Sequence, residues 1–232
     1  MPHKTLFKAA AICLIVCSCA VALAQGTGDI SSDAPARGGV VEKILGGERH
    51  NLQFGPYKWR VLEVRDGKVM LISEDIVEYR AYHSAQETAT WATCDLREYL
   101  NGDFLQKFTR DERSMIVETA VQNEDNPRRR RAGNNNATND RVFLLSTKEV
   151  RTYFRNDTDR RATVNGTPYW WWLRSSGHIE LDAARVEYDG HVNTFGFELY
   201  SSPVNGFRVG FGFNVNTTSG GVRPVLWLNL GS

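Results

Sequence analysis

Apolar and polar residues alternate through Tyr57-Lys58-Trp59-Arg60-Val61-Leu62-Glu63-Val64 and again through Lys68-Val69-Met70-Leu71-Ile72-Ser73, on either side of Arg65-Asp66-Gly67. An Asp-Gly pair suits the tight turn whose two central residues take positive φ, so the pattern predicts a β-hairpin. Upstream, Val40 to Leu45 reads as a first strand-like run. After the hairpin the period lengthens. Leu96, Tyr99, Leu100 and Phe104 share one helical face, with Thr93 or Asp95 as the cap and Gly102 as a weak point. Thr109 with Glu112, and Ser146 with Glu149, fit the capping box, in which a hydroxyl and a carboxylate satisfy each other's backbone N–H groups. The second box precedes Val150, Tyr153 and Phe154. Short amphipathic helices of this kind cover a sheet instead of forming a bundle.

Between these helices, Gln122 to Asp140 is polar and contains Pro127, the run Arg128 to Arg131, and Asn134-Asn135-Asn136, which predicts a long exposed loop. The last third reads as strand and turn. Tyr169 to Arg174, Ala183 to Tyr188, His191 to Leu199 and Val222 to Leu230 are strands, Asp189-Gly190 is a turn, and Gly206, Gly210 and Gly212 mark bends or bulges. Trp170-Trp171-Trp172 and the closing run Gly220 to Leu230 are expected to anchor the core, since each indole removes on the order of 150–250 Å² from water. Arg223 is framed by Gly221 and Pro224 inside an apolar strand. It must bury its stem, and is expected to pair with a carboxylate or backbone carbonyls and fix the terminal strand against the hairpin.

Ahead of these elements, Lys4 and Lys8 precede an uncharged apolar stretch from Ala9 to Ala24, followed by the polar segment Gln25 to Gly39. That is the layout of a secretory signal and is short for a membrane span. Two processing sites compete: cleavage after Ala24, and a lipobox-like Val16-Cys17-Ser18-Cys19 with Cys19 lipidated. Either exports the chain. The expected organisation is a signal peptide over residues 1–24, a flexible linker over 25–39 and a single domain over 40–232. Of Cys13, Cys17, Cys19 and Cys94, cleavage after Ala24 leaves Cys94 alone, so no disulfide framework is expected. Without Lys4 and Lys8 the basic residues number 26 against 27 acidic ones. This balance gives no general field for nucleic acid or anionic lipid.

Several motifs recur in order: Phe54 to Leu62, Leu71-Ile72-Ser73-Glu74-Asp75, Trp91 to Gly102, Val142-Phe143-Leu144-Leu145-Ser146, Trp171-Trp172-Leu173-Arg174-Ser175 and Gly221-Val222-Arg223-Pro224. The set resembles a bacterial family of exported proteins known as domain of unknown function 6273, over roughly Val40 to Leu230. Its closing pattern in turn resembles proteins of the C-type-lectin-like fold, including formylglycine-generating enzymes and retroelement-diversified surface receptors. The resemblance implies an α+β domain of C-type-lectin-like architecture, a twisted antiparallel sheet with short covering helices and long loops. It supplies no activity. A formylglycine-generating oxidation depends on a pair of copper-binding cysteines, and the mature chain has only Cys94. A calcium lectin site needs carboxylate and amide oxygens such as Glu-Pro-Asn, which the chain lacks; Leu226-Trp227-Leu228-Asn229-Leu230 carries no acid.

The expected binding residues are Trp171, Arg174, His178 and Tyr82, with no catalytic residue, metal ligand or cofactor. On a strand, Trp171 faces away from Trp170 and Trp172, so one face fills the core while the other meets a ligand or a covering loop; burial of all three is the commoner use of such residues. Cys94 near a helix start is either a reactive thiolate or an inert buried group, and inert is the expectation. Ser175 with His178 invites a nucleophile reading, yet no Gly-x-Ser-x-Gly turn or orienting acid accompanies them. Glu74, Asp75 and Asp182 are the candidates for carboxylate acid-base chemistry. The leading expectation is a non-catalytic extracytoplasmic module whose partner is a glycan, a peptide or a surface protein, touching membrane only through a lipid at Cys19. The alternatives are an exported hydrolase of envelope or dietary polymers and a purely structural surface domain.

Overall fold

Tyr57–Arg65 and Lys68–Ser73 pair antiparallel, and Asp66 (φ 51) and Gly67 (φ 67) take the left-handed conformation that the turn requires. In the computed structural model, which describes residues 34–123, 137–179, 181–195, 197–201, 208–212 and 214–231, this hairpin lies within a six-stranded antiparallel sheet. Leu52–Phe54 pairs with the hairpin's outer strand. Val225–Asn229 pairs with Lys68–Ser73 on one side and with Ile116–Val117 and Val142–Phe143 on the other. A second sheet of five strands runs in the order Val192–Asn193, Ala183–Val186, Trp171–Ser176, Gly221–Val222, Glu78–Tyr79. Only the pairing of Trp171 with Gly221 in these two sheets is parallel. The architecture is α+β, with mostly antiparallel curled sheets and few helices. The expected signal sequence, Cys19, Ala24, the run Arg128 to Arg131 and Gly206 lie outside the described residues.

The sequence periodicities translate unevenly. Both capping boxes form, Thr109 with Glu112 ahead of Arg110–Met115 and Ser146 with Glu149 ahead of Thr147–Tyr153. The helix expected from Thr93 or Asp95 is Asp95–Asn101, but Cys94 holds its cap position without a side-chain bond. Thr93 Oγ1 accepts instead from Thr90 N–H and Asp95 from Ser84 N–H, so both expected caps are committed elsewhere. Gly102 does end this helix, and Phe104 follows in a separate 3-10 turn, Asp103–Lys107. Val40 to Leu45, read as a strand, is the end of a helix, Ala34–Leu45. Val40 and Ile44 stand one helical turn apart and are both buried, and the charged pair Glu42-Lys43 between them breaks a strand's alternation.

The last third contains the largest departures. Tyr169 belongs to a small hairpin, Ala162–Val164 with Thr167–Tyr169. His191 to Leu199 divides into Val192–Asn193 and a hairpin strand, Phe197–Ser201, that pairs with Arg208–Gly212. Val222 to Leu230 is two strands, because Arg223-Pro224 carries the chain from the second sheet, at Gly221–Val222, into the first, at Val225–Asn229. Among the described residues, no helix is long and apolar enough to cross a membrane.

Arg223 occupies that crossing and is 1 % exposed. Its Nε donates to Ser73 O at 2.9 Å, Nη2 to Glu74 O at 2.9 Å and Nη1 to Arg160 O at 3.4 Å. The guanidinium lies 5.1 Å from the Trp171 ring centre and 5.4 Å from that of Phe154. Burial, with Arg60 adding to it, draws Arg223 down to about 10, so it remains a cation at neutral pH. Its partners are carbonyls of the hairpin end and of the 157–160 helix, so one side chain ties the crossing to both. Replacing Arg223 with Leu keeps an apolar side chain there but removes the guanidinium donors from the Ser73 and Glu74 carbonyls, while Arg160 O keeps Trp171 Nε1–H. The expected cost is roughly 3–5 kcal/mol, read as a lowered urea midpoint with an unchanged slope.

Candidate binding site

Strand Trp171–Ser176 runs from an apolar end to a polar one. Trp171 turns toward Arg223 and donates its Nε1–H to Arg160 O at 3.2 Å. Trp172 turns the other way, donating to Arg80 O at 3.0 Å, with its ring 5.8 Å from that of Tyr82. Trp171 and Tyr82 are both 0 % exposed, and Trp170 and Trp172 are also buried, so no indole of the triplet offers an open stacking face. Tyr82 donates its hydroxyl to Arg174 O at 3.0 Å, and burial, then the neighbouring Cys94, pushes that hydroxyl well above its ordinary pKa. Two of the four expected binding residues, Trp171 and Tyr82, therefore sit in the core.

Arg174 is buried as well, but it lies behind an open concavity. Its Nη1 donates to Leu144 O at 2.7 Å and its Nη2 to Gln122 O at 3.0 Å. Both nitrogens also grip Glu149 in the two-pronged fashion that suits guanidinium and carboxylate. Glu149 Oε2 additionally accepts from Ser146 N–H at 2.8 Å, so the carboxylate that closes the capping box is also the counter-ion of Arg174. The concavity measures about 240 Å³, and Ser146, Lys148, Thr152 and Tyr153 complete most of its wall. Tyr153 is fixed by donating to Glu63 Oε2 at 2.6 Å, and burial together with that carboxylate raises its pKa. With the Arg174 and Glu149 charges cancelling, the wall offers hydroxyl and amide groups together with the Lys148 ammonium.

His178 lies beyond the polar end of the strand, beside a different group. Its N–H donates to Phe195 O at 3.1 Å and its ring centre is 5.7 Å from that of Phe195. Nearby, Asp182 is 2 % exposed, and neither oxygen of its carboxyl has a hydrogen-bond partner. Burial pushes it up to about 6, against the pull of Arg185 and His178. Arg185, wholly buried, donates its Nε–H to Glu187 Oε1 at 2.7 Å, and Asn193 Nδ2 donates to the same oxygen at 2.7 Å. The structure thus joins Tyr82 to Arg174, sets Trp171 on the opposite face and leaves His178 with Asp182. Sequence reasoning missed Arg185, although an Arg set between Ala183-Ala184 and Val186 carries the same signal that exposed Arg223. It also missed the second role of Glu149, whose signal was used up by the helix cap.

The groups suited to covalent or acid-base chemistry are mostly engaged elsewhere. Ser175 Oγ is buried, accepts from Thr147 N–H at 3.0 Å and lies 3.4 Å from Thr147 Oγ1. Glu74 accepts from Asn51 N–H at 3.2 Å and faces His50 at 3.1 Å, and Asp75 accepts from the Thr163 N–H and hydroxyl. Among the described residues, no group of three or more His, Cys, Asp or Glu is placed to hold a metal ion. Cys94 is buried, and desolvation pushes its thiol up to about 12, leaving almost no thiolate at neutral pH. The native chain is accordingly expected to resist maleimide at Cys94 and fluorophosphonate at Ser175, with maleimide labelling appearing only in denaturant. Mass spectrometry of the intact protein reads both.

The family described as Domain of unknown function (DUF6273) matches residues 66–230, from the hairpin turn to the end of the central strand of the first sheet. No curated protein and no solved structure matches the chain. The match begins later than the resemblance traced from Val40, and it takes in the tryptophan strand, the Arg174 concavity and the Arg223 crossing. By that extent the chain belongs to the DUF6273 family of domains of unknown function.

Proposed function

We propose that this chain is a non-catalytic binding or surface-interaction module acting outside the cytoplasmic membrane, with the Arg174 concavity as its ligand site. The observation that carries this reading is the pairing of Arg174 with Glu149 behind an open wall of about 240 Å³. A mutually neutralised ion pair attracts neither anions nor cations strongly. It leaves hydroxyl and amide groups and the Lys148 ammonium on the wall, which suits hydrogen bonding to a polar group rich in acceptor oxygens. A space of this size accepts one sugar ring of a glycan or one polar side chain of a peptide or surface protein. The C-type-lectin-like arrangement inferred from the closing Gly-x-Arg pattern is consistent with this use. Export rests on the apolar stretch Ala9 to Ala24, ending either in cleavage after Ala24 or in a lipid at Cys19.

A second reading, an exported hydrolase, draws support from one residue. A shielded carboxyl with a raised pKa, as at Asp182, is what a general acid requires. Release of sugar or peptide fragments from envelope or dietary polymers, abolished in Asp182→Asn, would replace the binding reading.

Thr152 is exposed on the rim of the concavity, so Thr152→Trp fills it without touching the core. Screening against a glycan array and a displayed peptide library is expected to yield a ligand for the wild type. Thr152→Trp is expected to weaken that ligand by about tenfold or more, roughly 1.4 kcal/mol, at an unchanged unfolding midpoint. Absence of any ligand at millimolar concentration in both screens would count decisively against the module.

A further inference from the structure

The side chain of Asp182 is enclosed by main chain that is itself tied down. Gly177 packs directly on it, and a Cβ added to that glycine would stand 2.6 Å from the Asp182 Cβ. Gly177 N–H donates to Asp182 O at 2.7 Å, Asp182 N–H to Ile179 O at 3.2 Å, and Val215 N–H to Leu181 O at 2.9 Å. Asp182 also bridges to Asn214 in antiparallel fashion, so Leu181-Asp182 and Asn214–Val215 hold each other. Each of these bonds is made by the backbone, and none reaches the carboxyl. The charges that act on the carboxyl come from Arg185 in strand Ala183–Val186 and from His178 at the start of the turn. Arg185 directs its Nε–H to Glu187, and Asn214, on the facing segment, is uncharged. An ionised carboxylate deprived of donors is costly to bury, whereas a neutral carboxyl is tolerated far better.

We propose that the packing of Asp182 against Gly177 and the Asn214–Val215 segment is a proton-operated latch, closed while the Asp182 carboxyl is neutral and opening to water when the carboxyl ionises. The direction follows from linkage. Desolvation holds this carboxyl at about 6 in the closed state, above the ordinary 3.8 that it regains once open. The closed state therefore has its full advantage below the ordinary value and loses it as the pH climbs through 6. Arg185 and protonated His178 temper this by favouring the charged form, without cancelling the effect of burial. The latch acts at the end of the strand that carries Arg174, where exposed Ile179 and half-buried His178 are the side chains freed by opening.

Amide hydrogen exchange of the full chain, corrected for the intrinsic pH dependence of exchange, reads the latch directly. Peptides covering residues 177–183 and 214–217 are expected to exchange on the order of tenfold faster at about pH 7.5 than at about pH 4.5. In Asp182→Asn, which keeps the shape and removes the charge, the two pH values are expected to give equal exchange. Protection that is independent of pH in the wild type overturns the latch. So does a pH response that persists in Asp182→Asn, or one that only His178→Gln removes, since the imidazole would then be the titrating group.

Discussion

One buried guanidinium decides whether this chain is one body or two sheets joined by a tether. The closing segment leaves the second sheet at Gly221–Val222 and enters the first at Val225–Asn229, and Pro224 breaks strand pairing between them. The hairpin end and the 157–160 helix present backbone carbonyls to that crossing. Arg223 satisfies three of them, on Ser73, Glu74 and Arg160, while its flat face lies over Trp171 and Phe154. Arginine suits the position because its donors fan out in a rigid plane and its charge survives burial, whereas lysine offers a single point of attachment. The same Arg160 carbonyl also accepts from Trp171 Nε1, so the crossing and the tryptophan strand share an acceptor.

The proposed site depends on this node indirectly. Trp171 and Trp172 point to opposite faces of their strand and seal both, one against Arg223 and the other against Tyr82. That fixes the strand's register, and Arg174, two residues further on, is delivered to Glu149 at the start of helix Thr147–Tyr153. Because one carboxylate serves both the buried ion pair and the capping box, that part of the concavity wall is held in place, so binding there would not have to order it first. At the strand's far end the backbone is equally well tied, but Asp182 is left without donors. Arg174 leaves only its Nε without a partner while both its terminal nitrogens are bonded, whereas Asp182 has no partner on either carboxyl oxygen.

The hairpin, both capping boxes and the Arg223 anchor were legible because each is local or carries its own contradiction. Asp66-Gly67 allows few backbone conformations, and an arginine within an apolar run has to find acceptors. The strand expected at Val40 to Leu45 was misread because short apolar runs suit helix and strand alike, and only contact with the first sheet decides between them. The division of the last strand required knowing that two sheets lie on either side of Pro224. At the proposed site, Arg174 was singled out from its strand, but its pairing with Glu149 joins residues 25 positions apart. Trp171 and Tyr82 looked like binding residues since exposure is a property of the packed molecule, and both are enclosed by segments distant in sequence.

The central claim is that the Asp-Gly hairpin and the tryptophan strand form one cooperative unit around Arg223. The most direct measurement is a urea titration followed by fluorine NMR of the chain labelled with 5-fluorotryptophan, with the resonance of Trp59 reporting on the first sheet and those of Trp171 and Trp172 on the second. Loss of all three native resonances at one shared midpoint is the predicted result. A Trp59 signal that vanishes at a different urea concentration from the other two would show that the sheets unfold independently, and would contradict the account.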